Sequence, residues 1–396
     1  MSTCFVVDAV RTPIGKMRGA LKDVRPDDLG GLVIRALLAR TPVETVNEVY
    51  FGCANQAGED NRNVARMAVL LSGLSHSVPA ATVNRLCGSG LEAIIQGARM
   101  IRLGEADVVI AGGVESMTRS PWSMPKPAEG FASGKLEGYD TSLGWRYPNP
   151  KLAALFPLEQ MGETAENVAE HYRISREDQD AFAVASHQKA IAAIKSGAFA
   201  NELIAVELPA AKQGPALSVK EDEGPRADSS IEKLATLKAA FREGGTVTAG
   251  NSSTLNDGAS AVLLMSERAL AGRPPLARFI SSATAGVDPR MMGIGPVPAT
   301  RAALAAARWS SAELELIELN EAFASQSLAC IRELGLDSSR VNVNGGSIAL
   351  GHPLGMSGAR IVTTLLHAMK ARGAKKGLAT MCIGVGQGIA ATFEVP

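Results

Sequence analysis

Residues 80–113 read AATVNRLCGSGLEAIIQGARMIRLGEADVVIAGG and contain a complete strand–helix–strand unit. The short run Ala80–Val83 is followed by apolar residues at helical spacing over 91–102, and a second apolar run occupies 106–111. Glycines separate the three segments. Alternation of this kind is typical of parallel β-α-β units, in which helices pack on a sheet. The sequence therefore predicts an α/β fold.

The C-terminal part of the chain repeats this plan. Met356-Ser357-Gly358 opens a helical stretch as Gly88-Ser89-Gly90 does, and an apolar strand that ends at a glycine-containing turn follows in each case. Residues 48–52 likewise have a counterpart at 317–321. Internal similarity of this kind predicts two half-chains with one topology. Chance similarity between ordinary βα units is the alternative.

Sequence of a different character separates the two halves. Residues 120–151 are rich in Pro, Gly, Ser, Trp and Tyr, helical patterns follow at 164–171 and 177–197, and residues 212–230 are polar and turn-rich. Ser175, with acidic residues just after it, is a typical helix N-terminus. Because long structureless loops are uncommon, we predict an inserted domain over 119–248. The first half then comprises 1–118 plus 249–270, and the second half comprises 271–396.

The overall composition excludes several classes of protein. The 396 residues are 46% hydrophobic, and 40 basic residues balance 40 acidic ones, so no net field attracts nucleic acid or an anionic membrane. No apolar run approaches the ~18 residues that cross a bilayer, and the N-terminus lacks a signal-peptide pattern. The five cysteines match neither a disulfide framework nor a zinc site. We expect a cytoplasmic protein with no metal and with no nucleic-acid or membrane partner.

Cys87 lies in the glycine-rich turn between the strand and the helix of the first unit. The positive end of a helix dipole lowers the pKa of a thiol and favours the reactive thiolate. Cys87 is therefore a candidate nucleophile. The ordinary alternative for a free cysteine is a small buried hydrophobic residue.

Three further residues have the setting of catalytic groups. His352 lies on a loop stiffened by proline, just before a helix, and suits a base or a hydrogen-bond donor. Cys382 ends an apolar strand and enters a glycine-rich turn with no helix after it, so this turn is not a phosphate loop. Asn320 follows an apolar strand and can hold a water or an oxyanion, cap the next helix, or do both. Together with Cys87 these residues predict a covalent acyl-transfer enzyme.

With these motifs the chain resembles the thiolases, a family of acetyl-CoA acyltransferases. The resemblance rests on VNRLCGSG at 83–90, NEAFA at 320–324, GHPLGMSG at 351–358 and CIGVGQG at 382–388, in that order along the chain. It implies two βαβαβαββ halves stacked as five α-β-α-β-α layers, with a loop domain inserted in the first half. It also implies an oligomer, either a homotetramer or a homodimer.

The resemblance implies a role for each motif. Cys87 would be acylated by a 3-oxoacyl-CoA, His352 would activate it, and Cys382 would move a proton at the α-carbon. His352 and a water held by Asn320 would form one oxyanion hole, and the backbone amides of Cys87 and Gly384 would form the other. Acetyl-CoA leaves first and free CoA then removes the acyl group. CoA is therefore a substrate, and no cofactor is implied.

Looser motifs imply where the substrates bind. CoA would lie across the loop domain, with its nucleotide end near Arg226 and its pantetheine near Ser253. Met161, Phe323 and Ala322 would line the acyl pocket.

Other segments bear on the acyl group. Residues 51–67 and 140–149 resemble the 3-oxoadipyl-CoA thiolases of bacterial aromatic catabolism, and Gln160 stands where biosynthetic acetoacetyl-CoA thiolases usually have histidine. The terminal carboxylate of 3-oxoadipyl-CoA needs a cationic or polar partner, and Arg62, Arg66 and Arg146 are candidates among which the sequence does not choose. A broad or short-chain acetyl-CoA acetyltransferase is the alternative within this chemistry. A catalytically silent acyl-CoA-binding protein is the alternative from another class.

Overall fold

The computed structural model describes residues 2–127, 130, 134–208 and 217–396. Parts of the predicted insertion, residues 128–129, 131–133 and 209–216, lie outside the described residues. Within the described ranges, no helix has both the length and the apolar character needed to span a membrane. The strands are Cys4–Arg11 (β1), Gly15–Lys16 (β2), Glu48–Gly52 (β3), Ala80–Val83 (β4), Val108–Ser116 (β5), Trp122–Ser123 (β6), Tyr139–Asp140 (β7), Val206–Leu208 (β8), Leu217–Val219 (β9), Asn256–Ser266 (β10), Ala277–Gly286 (β11), Leu316–Leu319 (β12), Lys376–Ile383 (β13) and Gln387–Glu394 (β14). The helices are Pro26–Arg40 (α1), Val64–Ser72 (α2), Ser89–Leu103 (α3), Pro150–Leu155 (α4), Met161–His171 (α5), Arg176–Ser196 (α6), Ile231–Ala235 (α7), Glu267–Leu270 (α8), Pro296–Ala307 (α9), Ala324–Leu334 (α10), Ser347–Leu350 (α11) and Leu354–Arg372 (α12).

The first half forms the predicted βαβαβαββ unit. Its main elements follow one another as β1-α1-β3-α2-β4-α3-β5-β10, and its strands are arranged in space as β4-β3-β5-β10-β1. β3 pairs in parallel with β4 and β5, whereas β10 is antiparallel to β5 and β1. The predicted insertion lies between the last two strands of this unit, so it interrupts the chain without interrupting the sheet.

The second half repeats the topology with one strand nearly lost. Its strands are arranged as β12-β13-β14-β11, and β12 pairs in parallel with β13 as β3 pairs with β5. At the place that corresponds to β4, Val341 makes a single parallel bridge to Ile317. Asn342 and Gly345 then have φ values of 47° and 82°, so the chain leaves the extended conformation directly after the bridge. The predicted duplication is confirmed, with its third strand reduced to one residue.

The helices complete the five predicted layers. α3 and α12 pack on each other between the two half-sheets, and the central apolar core joins these helices to both half-sheets. α1 and α2 cover the outer face of the first half-sheet, and α9 and α10 cover that of the second. β1 and β11 connect the half-sheets through two residue pairs, Phe5 with Arg278 and Val6 with Ala277.

Glycines allow α3 and α12 to cross closely near their N-termini. A Cβ on Gly90 would lie 2.6 Å from the carbonyl oxygen of Gly355, and one on Gly358 would lie 2.2 Å from the backbone nitrogen of Leu91. Larger residues therefore do not fit at this crossing. The crossing holds the first turns of the two helices together, and it brings the loops that precede them to one side of the molecule.

The predicted insertion supplies helices that pack on the second half. α6 begins after Ser175, whose hydroxyl accepts a hydrogen bond from the backbone N–H of Asp178 at 3.0 Å, as the sequence predicts. α5 begins with a capping box formed by Gln160 and Glu163, and it packs against α10. This packing places Met161, the first residue of α5, beside the second half.

Candidate active site

Cys87 lies in a tight turn between β4 and α3, immediately before the N-cap residue Gly88. Leu86 has a φ of 47°, a left-handed conformation that costs a non-glycine residue on the order of 1 kcal/mol. Local hydrogen bonds hold this turn: Leu86 N–H donates to Oδ1 of Asn84 at 2.9 Å, and Ser89 Oγ donates to the carbonyl oxygen of Leu86 at 2.6 Å. The cysteine is thereby fixed at the N-terminus of α3.

The surroundings of the Cys87 thiol differ from those expected. The residue keeps partial exposure, but its sulfur lies among protein atoms. Burial raises the pKa of Cys87 to about 11, although the backbone N–H groups of Gly384 and of Cys87 itself hydrogen-bond to the sulfur and oppose the rise. The predicted lowering of this pKa is therefore wrong for the free protein, because lost hydration outweighs the partial charges at the helix end. The two N–H groups are the pair for which an oxyanion hole was predicted.

Cys382 lies at the end of β13, on which the turn of Cys87 packs: a Cβ on Gly88 would lie 2.6 Å from Cδ1 of Ile383, the residue after Cys382. It is 2% exposed, and its pKa is raised well above the ordinary value by burial and, to a smaller extent, by Cys87. It packs in one apolar cluster with Ala322, Phe323 and Met161. The structure therefore brings the second thiol together with Cys87 and with the three residues predicted to line the acyl pocket.

The turn after Cys382 completes this side of the site. Val385 and Gly386 have φ values of 64° and 81° and reverse the chain between β13 and β14. A Cβ on Gly384 would lie 3.3 Å from Sδ of Met161, so the Gly384 backbone faces the predicted acyl pocket. Nη1 of Arg85 donates to Oε1 of Gln387 at 2.9 Å and ties this turn to the one that carries Cys87.

His352 directly precedes Pro353, the N-cap residue of α12, and so has the place in the second half that Cys87 has in the first. Its Nδ1 lies 2.6 Å from Oγ of Ser357, which in turn lies 2.8 Å from the carbonyl oxygen of Pro353. Since that carbonyl only accepts, Ser357 donates to it, and Nδ1 of His352 carries a hydrogen. Burial and the nearby Arg360 lower the pKa of His352 to about 3. The imidazole is therefore neutral, with a free lone pair on Nε2.

Asn320 faces His352 from the end of β12. Its Nδ2 lies 3.4 Å from Nε2 of His352, and its Oδ1 accepts a hydrogen bond from Oγ of Ser347 at 2.6 Å. The N-cap residue of α10 is Phe323, so Asn320 does not cap that helix. The amide group is directed to the histidine instead.

Ser253 lies beside the loop that carries Asn320. Its backbone N–H donates to the carbonyl oxygen of Ala322 at 3.0 Å, and the adjacent Ser252 forms a β-bridge with Phe323. The structure thus places Ser253 at the boundary between the predicted pantetheine site and the predicted acyl pocket.

Arg226 is exposed and lies on a segment that packs near His352. Its backbone N–H donates to Nδ1 of His187 at 3.1 Å. Two residues earlier, a Cβ on Gly224 would lie 2.2 Å from the carbonyl oxygen of Ala349, which belongs to α11, the element just before His352. The side chain of Arg226 remains available to solvent at the periphery of the site.

The three candidate arginines have different surroundings. Arg62 is exposed. Arg66 donates to the carbonyl oxygens of His76 and Val78 at 2.8 and 2.6 Å, so it holds the loop before β4. Arg146 is partly buried and donates to Oδ1 and to the carbonyl oxygen of Asn55, each at 3.1 Å.

Glu115, at the end of β5, belongs to this region, although no motif in the sequence marks it. Its carboxylate accepts from the backbone N–H groups of Ala54, Asn55 and Gly355 at 2.9, 3.2 and 2.8 Å. Burial raises the pKa of Glu115 to about 7. The residue ties the loop after β3 to the loop that carries His352. The available signal was one acidic residue near the end of an otherwise apolar strand.

Comparison with known families agrees with this geometry. The model of the thiolase N-terminal domain matches residues 4–268, and that of the thiolase C-terminal domain matches residues 273–395. The chain belongs to the thiolase family. It is therefore an acyltransferase, and the silent CoA-binding alternative loses its support.

Individual relatives align with this thiolase over its whole length. A 3-oxoadipyl-CoA/3-oxo-5,6-dehydrosuberyl-CoA thiolase of Escherichia coli K12 is 53% identical over 401 residues and covers 100% of both chains. A beta-ketoadipyl-CoA thiolase of Acinetobacter baylyi is 52% identical over 402 residues, also with complete coverage of both. The crystal structure of the Bacillus anthracis acetyl-CoA acetyltransferase superposes with a TM-score of 0.93 at 42% identity, covering 100% of this chain and 99% of that one.

Proposed function

We propose that this thiolase transfers an acyl group between a 3-oxoacyl-CoA and CoA through an acyl-Cys87 intermediate, and that its preferred substrate is 3-oxoadipyl-CoA. The observation that carries the proposed chemistry is the pairing of two thiols. The turn that carries Cys87 packs on the end of β13, where a Cβ on Gly88 would lie 2.6 Å from Cδ1 of Ile383, the residue after Cys382. The nearby Cys87 also contributes to the raised pKa of the buried Cys382. Relatives named for 3-oxoadipyl-CoA at 52% and 53% identity support the acyl group.

In the proposed cleavage, Sγ of Cys87 bonds to the 3-oxo carbon while its proton passes to Nε2 of His352. The bond between C2 and C3 then breaks, leaving a thioester on Cys87 and the enolate of acetyl-CoA. Cys382 protonates the carbon of that enolate, and acetyl-CoA departs. The thiol of free CoA finally attacks the thioester while its proton passes to the thiolate of Cys382. The shortened acyl-CoA is released with Cys87 as the leaving group, and Cys87 regains its proton from Nε2 of His352.

Two sets of donors serve the oxygens that become negative in these steps. The backbone N–H groups of Cys87 and Gly384 would stabilise the oxygen on the carbon bonded to Cys87. Protonated His352 and a water held by Asn320 would stabilise the enolate oxygen. Each such donor is typically worth about 3 kcal/mol in the transition state, so the two sets account for a large part of the expected acceleration.

We further propose that CoA lies across the inserted 119–248 domain, past Arg226 and Ser253, with the acyl group among Met161, Phe323 and Ala322. The same domain would carry contacts of a homotetramer in the cytoplasm. Its exposed large apolar side chains support such contacts, because apolar surface removed from water at an interface stabilises association. Among the described residues of the domain, the most exposed of them are Trp122, Leu136 and Leu155, at 72%, 74% and 73%.

The acyl preference is tested by comparing kcat/KM for 3-oxoadipyl-CoA, acetoacetyl-CoA and an uncharged 3-oxoacyl-CoA of the same length as 3-oxoadipyl-CoA. We expect the highest value for 3-oxoadipyl-CoA, since one charge-assisted hydrogen bond to its carboxylate is worth about 1.5–3 kcal/mol, or about 10- to 100-fold. Equal values for the charged and uncharged long substrates would contradict the proposal. A clear preference for acetoacetyl-CoA would instead establish the short-chain alternative, the activity for which the Bacillus anthracis neighbour is named.

Arg146 is the arginine whose surroundings best fit a substrate carboxylate. Both groups that it contacts are neutral, so among the described residues its charge has no carboxylate partner. Nε1 of the adjacent Trp145 donates to the carbonyl oxygen of Glu159 at 3.1 Å, close to Met161 at the start of α5. On the other side, Asn55 follows Ala54. The carbonyl oxygen of Ala54 accepts a hydrogen bond from Nδ2 of Asn84, which lies in the turn that carries Cys87. These contacts link the segment of Arg146 to the start of α5 on one side and to the turn of Cys87 on the other, which supports a position of the guanidinium near the acyl group.

Replacing Arg146 by glutamine is expected to lower kcat/KM for 3-oxoadipyl-CoA by about 10-fold or more, because a charge-assisted hydrogen bond is lost. Activity toward acetoacetyl-CoA, which has no terminal carboxylate, should be unchanged. Arg62→Gln is the matched comparison. If that variant, and not Arg146→Gln, loses selectivity, then Arg62 binds the carboxylate; an equal loss on both substrates would mean that Arg146 only supports the loop.

A further inference from the structure

A chain of buried hydrogen bonds runs from Asn320 away from the reacting groups. Oδ1 of Asn320 accepts from Oγ of Ser347 at 2.6 Å, and Nη2 of Arg360 donates to that same Oγ at 3.1 Å. Nη1 of Arg360 donates to Oε2 of Glu318 at 2.9 Å. None of these four side chains is more than 2% exposed. The chain is therefore shielded from water along its whole length.

The direction of each hydrogen bond in this chain follows from the groups at its two ends. A guanidinium has donors and no acceptor, so Ser347 accepts from Arg360. At the other end, Nδ1 of His352 carries the hydrogen, so its Nε2 has a lone pair that accepts. The NH₂ group of Asn320 therefore faces Nε2 of His352 at 3.4 Å, and its carbonyl oxygen accepts the hydroxyl proton of Ser347.

The opposite orientation of the amide would remove a donor from the site. Oδ1 of Asn320 would then face the lone pair on Nε2 of His352, which is repulsive. The oxygen of Ser347 would accept from both Asn320 and Arg360, and the hydroxyl proton of Ser347 would lose its acceptor. Asn320 is 0% exposed, so bulk water cannot satisfy either misplaced group. A buried polar group left unpaired costs about 1–3 kcal/mol, enough to fix one orientation.

We propose that Ser347 and Arg360 are positioning residues, which hold the amide of Asn320 so that its NH₂ group faces the enolate oxygen and the water beside it. Neither residue touches the substrate, and Glu318 holds Arg360 in place by accepting a hydrogen bond from its Nη1. The inference deepens the proposed function and rests on the role proposed there for Asn320.

The test is a double-mutant cycle of Ser347→Ala and Asn320→Ala, measured as thiolysis of acetoacetyl-CoA so that preference for the acyl group does not enter. Ser347→Ala alone should lower kcat by about tenfold, less than the about 10²–10³-fold typical of losing an oxyanion donor outright, and KM should change little. In the Asn320→Ala background the Ser347→Ala substitution should not lower kcat any further, because its effect on kcat passes through Asn320.

Ser281→Ala is the matched control for loss of a buried hydroxyl. Ser281 lies in β11, and its Oγ hydrogen-bonds to the carbonyl oxygen of Ala303 and to Oγ1 of Thr392, each at 2.7 Å. The kcat of the Ser281→Ala variant should remain at the wild-type value. Thermal melting shows whether each variant is folded, and Ser347→Cys, with similar volume and a weaker donor, replaces Ser347→Ala if the latter does not fold.

The possible outcomes separate the two ideas. The positioning role is wrong if Asn320→Ala lowers kcat but Ser347→Ala and Ser347→Cys do not. It is also wrong if Ser347→Ala lowers kcat by the same factor in the wild-type and the Asn320→Ala backgrounds. If Asn320→Ala itself is fully active, the proposed role of Asn320 fails first.

Discussion

Replacing Cys87 by serine is expected to lower kcat for thiolysis by about 10⁴-fold or more, since deleting the nucleophile of a comparable covalent enzyme costs about 10⁶-fold. A hydroxyl is a far weaker nucleophile than a thiolate, and its ester is a poorer acyl donor to CoA. The turn around the residue should be unaffected, because its hydrogen bonds come from Asn84 and Ser89. Mass spectrometry after incubation with acetyl-CoA should show one acetyl group on the wild-type protein and none on Cys87→Ser.

A second cysteine provides the control for this experiment. Cys4 is fully buried in β1, within the central core and away from the loops of the site. Cys4→Ala should remain acetylated and active, with at most a lower melting temperature because a small core side chain has been truncated. Acetylation that persists in Cys87→Ser would place the acyl group on another residue and would contradict the proposed intermediate.

The ionisation states of Cys87 and His352 bear on when the proposed nucleophile becomes reactive. The pKa of Cys87 is raised to about 11 and that of His352 is lowered to about 3, both chiefly by burial. Both groups are therefore neutral in the free protein, and little thiolate exists before a substrate arrives. In the proposed reaction the proton would pass to His352 as the sulfur attacks, when the oxyanion that forms balances the new positive charge.

Much of the fold was predictable from short patterns because the determinants are local. The alternation of apolar runs gives the β-α-β units, and glycines such as Gly90 and Gly358 mark the close crossing of α3 and α12. The loss of the third strand in the second half was not predictable in this way. It depends on the left-handed conformation of Asn342, which the surrounding structure imposes and which no periodicity in the sequence announces.

The site was predictable where single residues carry the chemistry, and not where distant residues tune it. The settings of Cys87, His352 and Cys382 can be recognised from their neighbours along the chain. Ser347 and Arg360 give no such signal, because they reach Asn320 across 27 residues and reach each other across 13. The pKa of Cys87 was mispredicted for the same reason, since burial sums the effect of many residues whereas a helix dipole can be assigned from sequence alone.

Replacing Cys382 by serine is expected to separate the two halves of the reaction. Acetylation of Cys87 by acetyl-CoA needs no proton transfer at carbon, so it should persist in the variant. Cleavage and condensation both need a proton to move at the α-carbon, and loss of a general acid or base typically costs about 10²–10⁴-fold, so kcat for thiolysis should fall by that factor. The measurements are the time course of acetylation by mass spectrometry and the uptake of deuterium at the α-carbon of acetyl-CoA in D₂O.

The deuterium experiment distinguishes a catalytic thiol from one that only fills space. Cys382 is 2% exposed and packs against Phe323 and Met161, so a packing role would be expressed as a lower melting temperature and slower reactions of every kind, acetylation included. If Cys382 is catalytic, the Cys382→Ser variant should lose deuterium uptake and keep acetylation. Continued exchange in Cys382→Ser at the wild-type rate would require another base at the α-carbon. The pKa of Cys382 is raised well above the ordinary value in the free protein. In the proposed mechanism its thiolate would form when His352 is protonated and the thioester is bound. We therefore expect exchange to require acylated Cys87.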